Sequence, residues 1–486
     1  MEMSGTFVLH GTRRSILRIL AGAAGAVLAD ALTACGLRGL GRVMAGPSRT
    51  TAPITLAWLP WMGFLATGGT AAATAVLYHA TLPFRRKNPG VQIKVSITNG
   101  ANNAAPNLVE TAILAGTGPD VFESYASPDA FIRKGLLLDL ETYIRKDNLD
   151  LTVYPADAVA FIRESSAAAS KTGHGFFTLP AYANITALAV NEGLLDQLGL
   201  PYPEPDWTYG QWSRIWEATT QKSITASDLS RAGYAMFWLS GMGTPVPPPA
   251  FLRSFGGEYV DPSNPARSGL MSTGSRAFWE WVVPLVVAGV IRQFGAFTPP
   301  NSLGQGHVAV KCWQSAFLLN ALHDLSRLKW DWYAMPVGSA GQYTFMSHDW
   351  LGVNAGTKHP DLAWEFAKWL SWDPSFDEAM AHISLRTPIR KDQWTRWASV
   401  VKATAPGLAH KNLGAYVEAG TGTQGQPYGG RVFKYGEVSA MGLVLKWVNA
   451  AVAGKVAVVT ALQEAARQVD ALEQADAAAV AHASTA

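Results

Sequence analysis

Three carboxylates, Glu123, Glu258 and Asp349, could in principle pair for acid and base work, and His348 adjoins the last of them. Paired carboxylates serve glycoside hydrolysis, and a His-Asp dipeptide offers two metal donors. No second donor pair at metal-ligand spacing accompanies His348-Asp349, so neither a metal nor a cofactor is expected. The chain also lacks a nucleophile elbow, a zinc motif and a phosphate-binding glycine loop. Flat aromatic surface, by contrast, is plentiful: there are 18 Trp in 486 residues, while charged residues are 15% against about 25% in an ordinary globular protein. This is equipment for holding a ligand rather than for breaking one.

The two cysteines are unequal. Cys35 ends the apolar, alanine-rich stretch RRSILRILAGAAGAVLADALTAC. Arg13-Arg14-Ser15-Ile16-Leu17-Arg18 resembles the twin-arginine export signal, and Leu32-Thr33-Ala34-Cys35 resembles the bacterial lipobox, whose cysteine is diacylated and becomes the first mature residue. Asp30 interrupts the stretch, which falls short of the ~20 apolar residues that cross a bilayer. The expected layout is a signal peptide over 1–34 and a flexible Gly/Ser/Thr/Pro-rich tether over 35–51. Lipid on Cys35 would hold the chain on the outer face of a bacterial cell membrane. Cys312, in HVAVKCWQSAFLLNAL, is then the one thiol left, so no internal disulfide forms, and its apolar setting makes it a small buried hydrophobe.

A formal charge of +3, with Lys and Arg scattered rather than striped, excludes a nucleic-acid partner. The length exceeds what one core holds and implies two or three domains. From Ile54 the pattern alternates: a strand over 54–60, a helix over 71–86 stopped by Lys87-Asn88-Pro89-Gly90, and a strand VQIKVSIT. A helix in NLVETAILAG, a buried strand PDVFES and a helix in PDAFIRKGLLLDLETYI follow. Such alternation specifies an α/β fold with a mostly parallel sheet, in which ligands bind at the carboxyl ends of strands. An extended segment breaks at Leu179-Pro180, a new strand runs over 186–191, a helix over 192–198 ends at Gly199, and Thr208 caps the next helix. Trp364 and Trp369, at helical spacing with Phe366 and Leu370, belong to a core. Asp120, beside Gly118-Pro119, bonds backbone amides.

Several phrases, in order, resemble the extracellular solute-binding proteins of ABC importers, the large group that includes maltose and other sugar binders. They are LAGTGPDVFES, LPAYANITALAVNEGLLDQLGL with DWTYGQW, the double-glycine turn RSFGGEYVD, GHVAVKCWQSAF with Lys311 where Met is frequent, and WYAMPVGSAG. SHDWLGVNAGTKHPDLAWEFAKWLS, LRTPIRKD and a terminal helix pair hinged at Gly454 complete the series, which covers about 52–475. The resemblance implies a periplasmic-binding-protein-like fold of type II: two lobes, each a mixed, mostly parallel sheet flanked by helices, joined by a multi-strand hinge. By analogy one lobe takes 52–180 and 336–388, the other 181–335 and 389–475, and 476–486 is a tail. Pro180 and Pro336 mark the crossings.

Two hinged lobes enclose a cleft and close on a ligand. A neutral sugar needs flat rings for its C–H faces and Asp, Glu, Asn, Gln or Arg for its hydroxyls. At the expected strand ends stand Trp58 and Trp61, Asn99 and Asn102, and Glu123, Ser124 and Tyr125; Tyr182 and Asn184 lie at the first hinge. Trp238, Trp313 and Gln314 come from the other lobe, with Asp349, Trp350 and Arg386 further along. The function so implied is non-catalytic capture of a sugar or oligosaccharide by a monomer that hands it to permease and ATPase subunits. Two alternatives stay open: another ligand (phosphodiester, polyamine, peptide or metal chelate), and a secreted glycoside hydrolase using Glu123, Glu258 or Asp349.

Overall fold

Ile54–Leu59 (β1) opens the fold, as its alternation predicts, in a computed structural model that describes residues 53–60, 70–96, 105–124, 127–223, 247–291, 303–304, 308–422, 426–428 and 437–485. Val91–Val95 (β2) lies parallel to β1 with Ile54 opposite Val91, and Val121–Ser124 (β3) lies parallel on the other side with Trp58 opposite Val121. The helix expected over 71–86 is two, Thr70–Ala80 and Leu82–Lys87, because Pro83 has no N–H to continue the ladder. In the same way Gly135, at φ 67°, divides the helix expected over 128–144 into Asp129–Arg133 and Glu141–Lys146.

Thr178–Val190 (β4) is one continuous strand of 13 residues, all buried. The expected break at Leu179-Pro180 does not occur. Pro180 lies opposite Trp350 next to a bulge in β4 itself, a place where a missing ladder donor is tolerated. A hairpin of Val260–Asp261 (β5) and Asn264–Ser268 (β6) follows the double-glycine turn. Val310–Gln314 (β7) and Asp331–Tyr333 (β8) both run antiparallel to the second half of β4. After Val337–Gly338 (β9) comes Gly341–Val353 (β10), again 13 residues long, and Gln426–Tyr428 (β11) pairs with its start. Among the described residues the main sheet runs β2-β1-β3-β10-β4-β7.

The two long strands serve both halves of this sheet. Trp350–Val353 of β10 pair with β3 and with the start of β4, whereas Met346–His348 pair with Ala183–Ile185 and Thr186–Gln314 begins the pairing with β7. Each half is covered on both faces. In the first, Leu56, Trp58, Val121, Leu351 and Val353 pack against Trp364, Phe366, Trp369 and Phe376, while Leu59, Phe122 and Trp350 pack against Phe131 and Ile132. In the second, Leu188, Val190, Val310 and Cys312 meet the helices Tyr209–Ser223, Thr273–Val287, Glu437–Val452 and Val458–Thr485. Ile185, Ala187 and Ala189, on the opposite face, meet Trp313, Trp332, Trp394 and Tyr416. The alternation of β4 residues between faces is that of a strand buried on both sides.

Trp364 and Trp369 are core residues as expected, and Cys312 is fully buried. Thr208 caps its helix reciprocally with Gln211, each side chain taking the other's backbone N–H. The helix pair at the end turns at Gly454, φ 69°.

The double-glycine turn is required by contact. A Cβ on Gly257 would lie 2.4 Å from the backbone N of Ser275, and one on Gly274 would lie 2.2 Å from the backbone of Gly256. Neither neighbour is a flexible side chain. Gly257→Ala is expected to destabilise the fold by about 3 kcal/mol, read as a lower urea midpoint at unchanged slope.

Candidate functional site

The two long strands cross between the halves of the sheet at one level, and there the ladder is interrupted. The register of β10 against β4 shifts between His348 and Trp350, with the single residue Asp349 facing a two-residue bulge in β4. Opposite it, Ala181 and Tyr182 are consecutive yet pack in the same core, so the two-residue period of β4 is broken there too. A third segment passes the same place: Tyr182 makes an isolated antiparallel bridge to Pro388. It follows the helix Pro374–Ser384, which packs Phe376 and Met380 into the first half, and leads to Ile389 and Trp394 in the second.

Backbone groups that lose the ladder must find other partners, since an unpaired buried amide costs about as much as a lost hydrogen bond. Small hydroxyls and indoles supply them. Ser315 Oγ accepts from the Ile185 amide at 3.1 Å. Ser371 Oγ donates to the Pro180 carbonyl and accepts from the Tyr154 hydroxyl at 2.7 Å. On the third segment Trp397 Nε1 donates to the Leu385 carbonyl at 3.0 Å and Trp394 Nε1 to the Pro388 carbonyl at 2.7 Å.

Asp349 is the centre of the polar side chains. Its Oδ1 accepts from Asn184 Nδ2 at 3.1 Å and its Oδ2 from Arg386 Nη2. The Arg386 guanidinium lies over the Tyr182 ring, 4.2 Å from its centre. Asp349 and Arg386 are 1% exposed each. Burial raises the Asp349 carboxyl above its ordinary value, opposed by Arg386 and Asn184. Burial, reinforced by Glu123, holds the Tyr182 phenol well above its own. Gln314 Nε2 reaches Ser347 Oγ at 3.4 Å, a long contact that ties β7 to β10.

Of the residues singled out from the sequence, the structure brings Glu123, Ser124, Tyr182, Asn184, Asp349 and Arg386 to the crossing and places Gln314 beside it. The tryptophans are different. Trp58 meets Phe366 and Phe376 edge-on at 5.6 and 6.1 Å, and Trp350 lies between Phe122 and Phe131 at 5.7 and 6.0 Å, so both rings are packing residues with no face left for a ligand. Trp313, 4% exposed, packs on Trp332 and donates to the Phe317 carbonyl at 2.9 Å. Large rings at strand ends are drawn under the helices by their apolar area. Trp61, Asn99, Asn102, Tyr125, Trp238 and Cys35 lie outside the described residues. Glu258 bonds Arg253 at 2.8 Å and Ser275, not the residues of the crossing. Asp120 is structural as expected, accepting from the Ala57 amide at 2.7 Å. Among the described residues no group of three metal-ligating side chains occurs.

Sequence reasoning missed Ser315, Ser371, Trp394 and Trp397. A serine within the apolar run KWLSW, on a helix otherwise buried on that face, was a readable sign of a backbone needing a donor. The role of the two indoles carried no local sign.

Residues 80–404 match the family model of the bacterial extracellular solute-binding protein, and the chain belongs to that family. It is accordingly a binding protein rather than an enzyme, and it acts outside the cytoplasm. The fold is similar to that of an ABC substrate-binding protein from Listeria monocytogenes in complex with cycloalternan (TM-score 0.65, 17% identity, covering 86% of this chain and 99% of that one). A sugar transporter protein from Rhizobium etli in an open conformation is similar at TM-score 0.64, 17% identity, 86% and 99% coverage. The cyclic α-maltosyl-1,6-maltose binding protein from Arthrobacter globiformis is similar at TM-score 0.62, 17% identity, 87% and 99% coverage. The fold is thus the two-lobed one. No helix among the described residues is long and apolar enough to cross a membrane.

Two outcomes are expected. Trp350→Ala and Trp58→Ala lower the unfolding free energy by about 3–5 kcal/mol each, measured by urea denaturation without ligand. His348 gives a pH dependence: burial holds its imidazole down to about 4 from 6.5, with Phe161 edge-on at 5.1 Å. Below pH 6.5 the unfolded chain binds a proton that the folded chain refuses until about pH 4. Stability from the neutral ring is therefore whole above pH 6.5 and is lost as pH falls through that window. His348→Leu is expected to shrink the difference in unfolding free energy between pH 7 and pH 4.5 by about 2 kcal/mol.

Proposed function

We propose that this chain captures a neutral sugar or oligosaccharide between its two lobes and delivers it, unaltered, to the permease of an ABC importer. The observation that carries this reading is the family match over 80–404 joined to a crossing where polar side chains from β3, β4, β7 and β10 converge and the charge of Asp349 is matched by Arg386. Similar solved structures hold cycloalternan, mannobiose and mannotriose, which supports a carbohydrate for this cleft. A polyamine would call for several free carboxylates and a phosphodiester for more arginine; here Asp349 and Arg386 engage each other.

Glu123, Ser124 and Gln314 are the described residues assigned to ligand hydroxyls, with Trp61, Asn99, Asn102, Tyr125 and Trp238 completing the set. Gln314 suits the task because its side-chain hydrogen bond to Ser347 Oγ, at 3.4 Å, is long and easily exchanged. Taking each half of the sheet as a lobe, the packing of Phe345 in the second core supports a return of β10 to the first lobe at 346–350. Acylation of Cys35 holds this monomer at the outer face of the membrane.

The test is a thermal-shift and calorimetric titration with neutral mono- and oligosaccharides beside spermidine, glycerophosphodiesters and short peptides. A sugar is expected to raise the melting temperature and reduce the radius of gyration, and to be recovered chemically intact. Stabilisation by a non-sugar alone, or consumption of the sugar, overturns the reading. Trp61→Ala and Gln314→Ala are expected to weaken binding by about 1–3 kcal/mol each with little change in the ligand-free melting temperature.

A further inference from the structure

Asp349, Arg386, Asn184 and Tyr182 come from the three segments that pass between the lobes, and each segment contributes at least one of them. We propose that this buried group is the pivot of the interlobe hinge: its members are positioning residues that set the resting angle of the lobes, not contacts to the ligand. The proposal rests on the solute-binding reading above and deepens it.

Occupancy is the first reason. Both carboxylate oxygens of Asp349 are engaged within the protein, the guanidinium covers the Tyr182 ring, and the two charged residues are 1% exposed. The charged atoms are closed to solvent, and the Tyr182 hydroxyl and Asn184 Oδ1 are buried without a hydrogen-bond partner among the described residues.

Backbone mechanics is the second. Asp349 faces the bulge that Ala181 and Tyr182 make in β4, and β10 pairs with β4 on both sides of it. A rotation taken up by φ and ψ at Asp349 and at the facing Ala181–Tyr182 stretch need break no ladder bond. The carbonyls and amides there are held by side chains of Ser315, Ser371, Trp394 and Trp397, which can follow a small turn. An ion pair lying on the axis keeps its length while the lobes rotate. Sliding or separation would pull the desolvated charges away from each other, which is strongly unfavourable. The group therefore permits rotation and opposes every other motion.

Strain is the third. Leu385, at φ 58° and 2% exposed, ends the helix Pro374–Ser384 in a left-handed conformation that ordinarily falls to glycine. That turn directs the next residue, Arg386, back into the crossing. Strain of this kind persists where the surroundings over-determine it.

The test places spin labels at Lys146→Cys and Glu280→Cys, one on each lobe, in the full chain, and measures the interlobe distance distribution without ligand. Asp349→Asn keeps the shape and removes the charge. The paired replacement Asp349→Leu with Arg386→Met removes both charges and leaves none stranded, so it is read if the single variant fails to fold. Either is expected to broaden the ligand-free distribution about twofold and to weaken binding of the sugar found in the titration about tenfold, through the closing equilibrium. An unchanged distribution overturns the proposal in either of two ways. With binding abolished, the group contacts ligand; with affinity intact and only the melting temperature lowered, it is a packing element. Because the distance measurement needs no ligand, it stands even if no sugar binds, and the two readings fail separately.

Discussion

Every feature of the crossing answers to one constraint: a polypeptide that passes between two lobes three times must satisfy its backbone in a place where no regular ladder can continue. In the interior of either lobe β4 and β10 exchange hydrogen bonds with neighbours on both sides. Between the lobes the ladder is interrupted, and the amide of Ile185 and the carbonyls of Pro180, Leu385 and Pro388 are met by a hydroxyl or an indole instead. The charged pair is the extreme case of the same rule, since charge is kept inside only because it is matched and hydrogen-bonded. A buried, internally bonded junction between two well-packed bodies has few soft coordinates, and that is what makes a hinge rather than a loose joint.

Much of the architecture was legible because each lobe obeys short-range rules. Alternation at Val91, Ile93 and Val95, the stop after Lys87, the cap at Thr208 and the glycine at 199 all act within a few residues, and the structure follows them. What failed to show was anything decided across the sequence. Pro180 reads as a break until Trp350 and the bulge beside it supply a partner that does not need its N–H. Pro83 and Gly135 divide helices whose apolar spacing runs straight through them.

At the crossing the polar residues were legible in position, and the described tryptophans, Trp58, Trp313 and Trp350, were misleading. Asn184, Asp349 and Arg386 were recognisable because polar residues in otherwise apolar strand sequence have few reasons to be there. Tryptophan has many. Trp212 and Trp216 meet at 4.1 Å inside the second lobe, and Trp330 and Trp332 at 4.7 Å, so ring content measures how these cores are filled before it measures what a cleft holds. An abundance of indole is thus weak evidence for a carbohydrate unless the strand end carrying it is also uncovered.

The helix Val458–Thr485 sets Ala461, Leu462, Ala465 and Val469 into a core begun by Leu188 and Val190. That core cannot therefore be completed until the chain has been made as far as Val469. Assembly of this kind depends on far-apart segments meeting late, which is slow and leaves time for mispairing. A cell that makes this protein needs to shield that core until the helix has joined it.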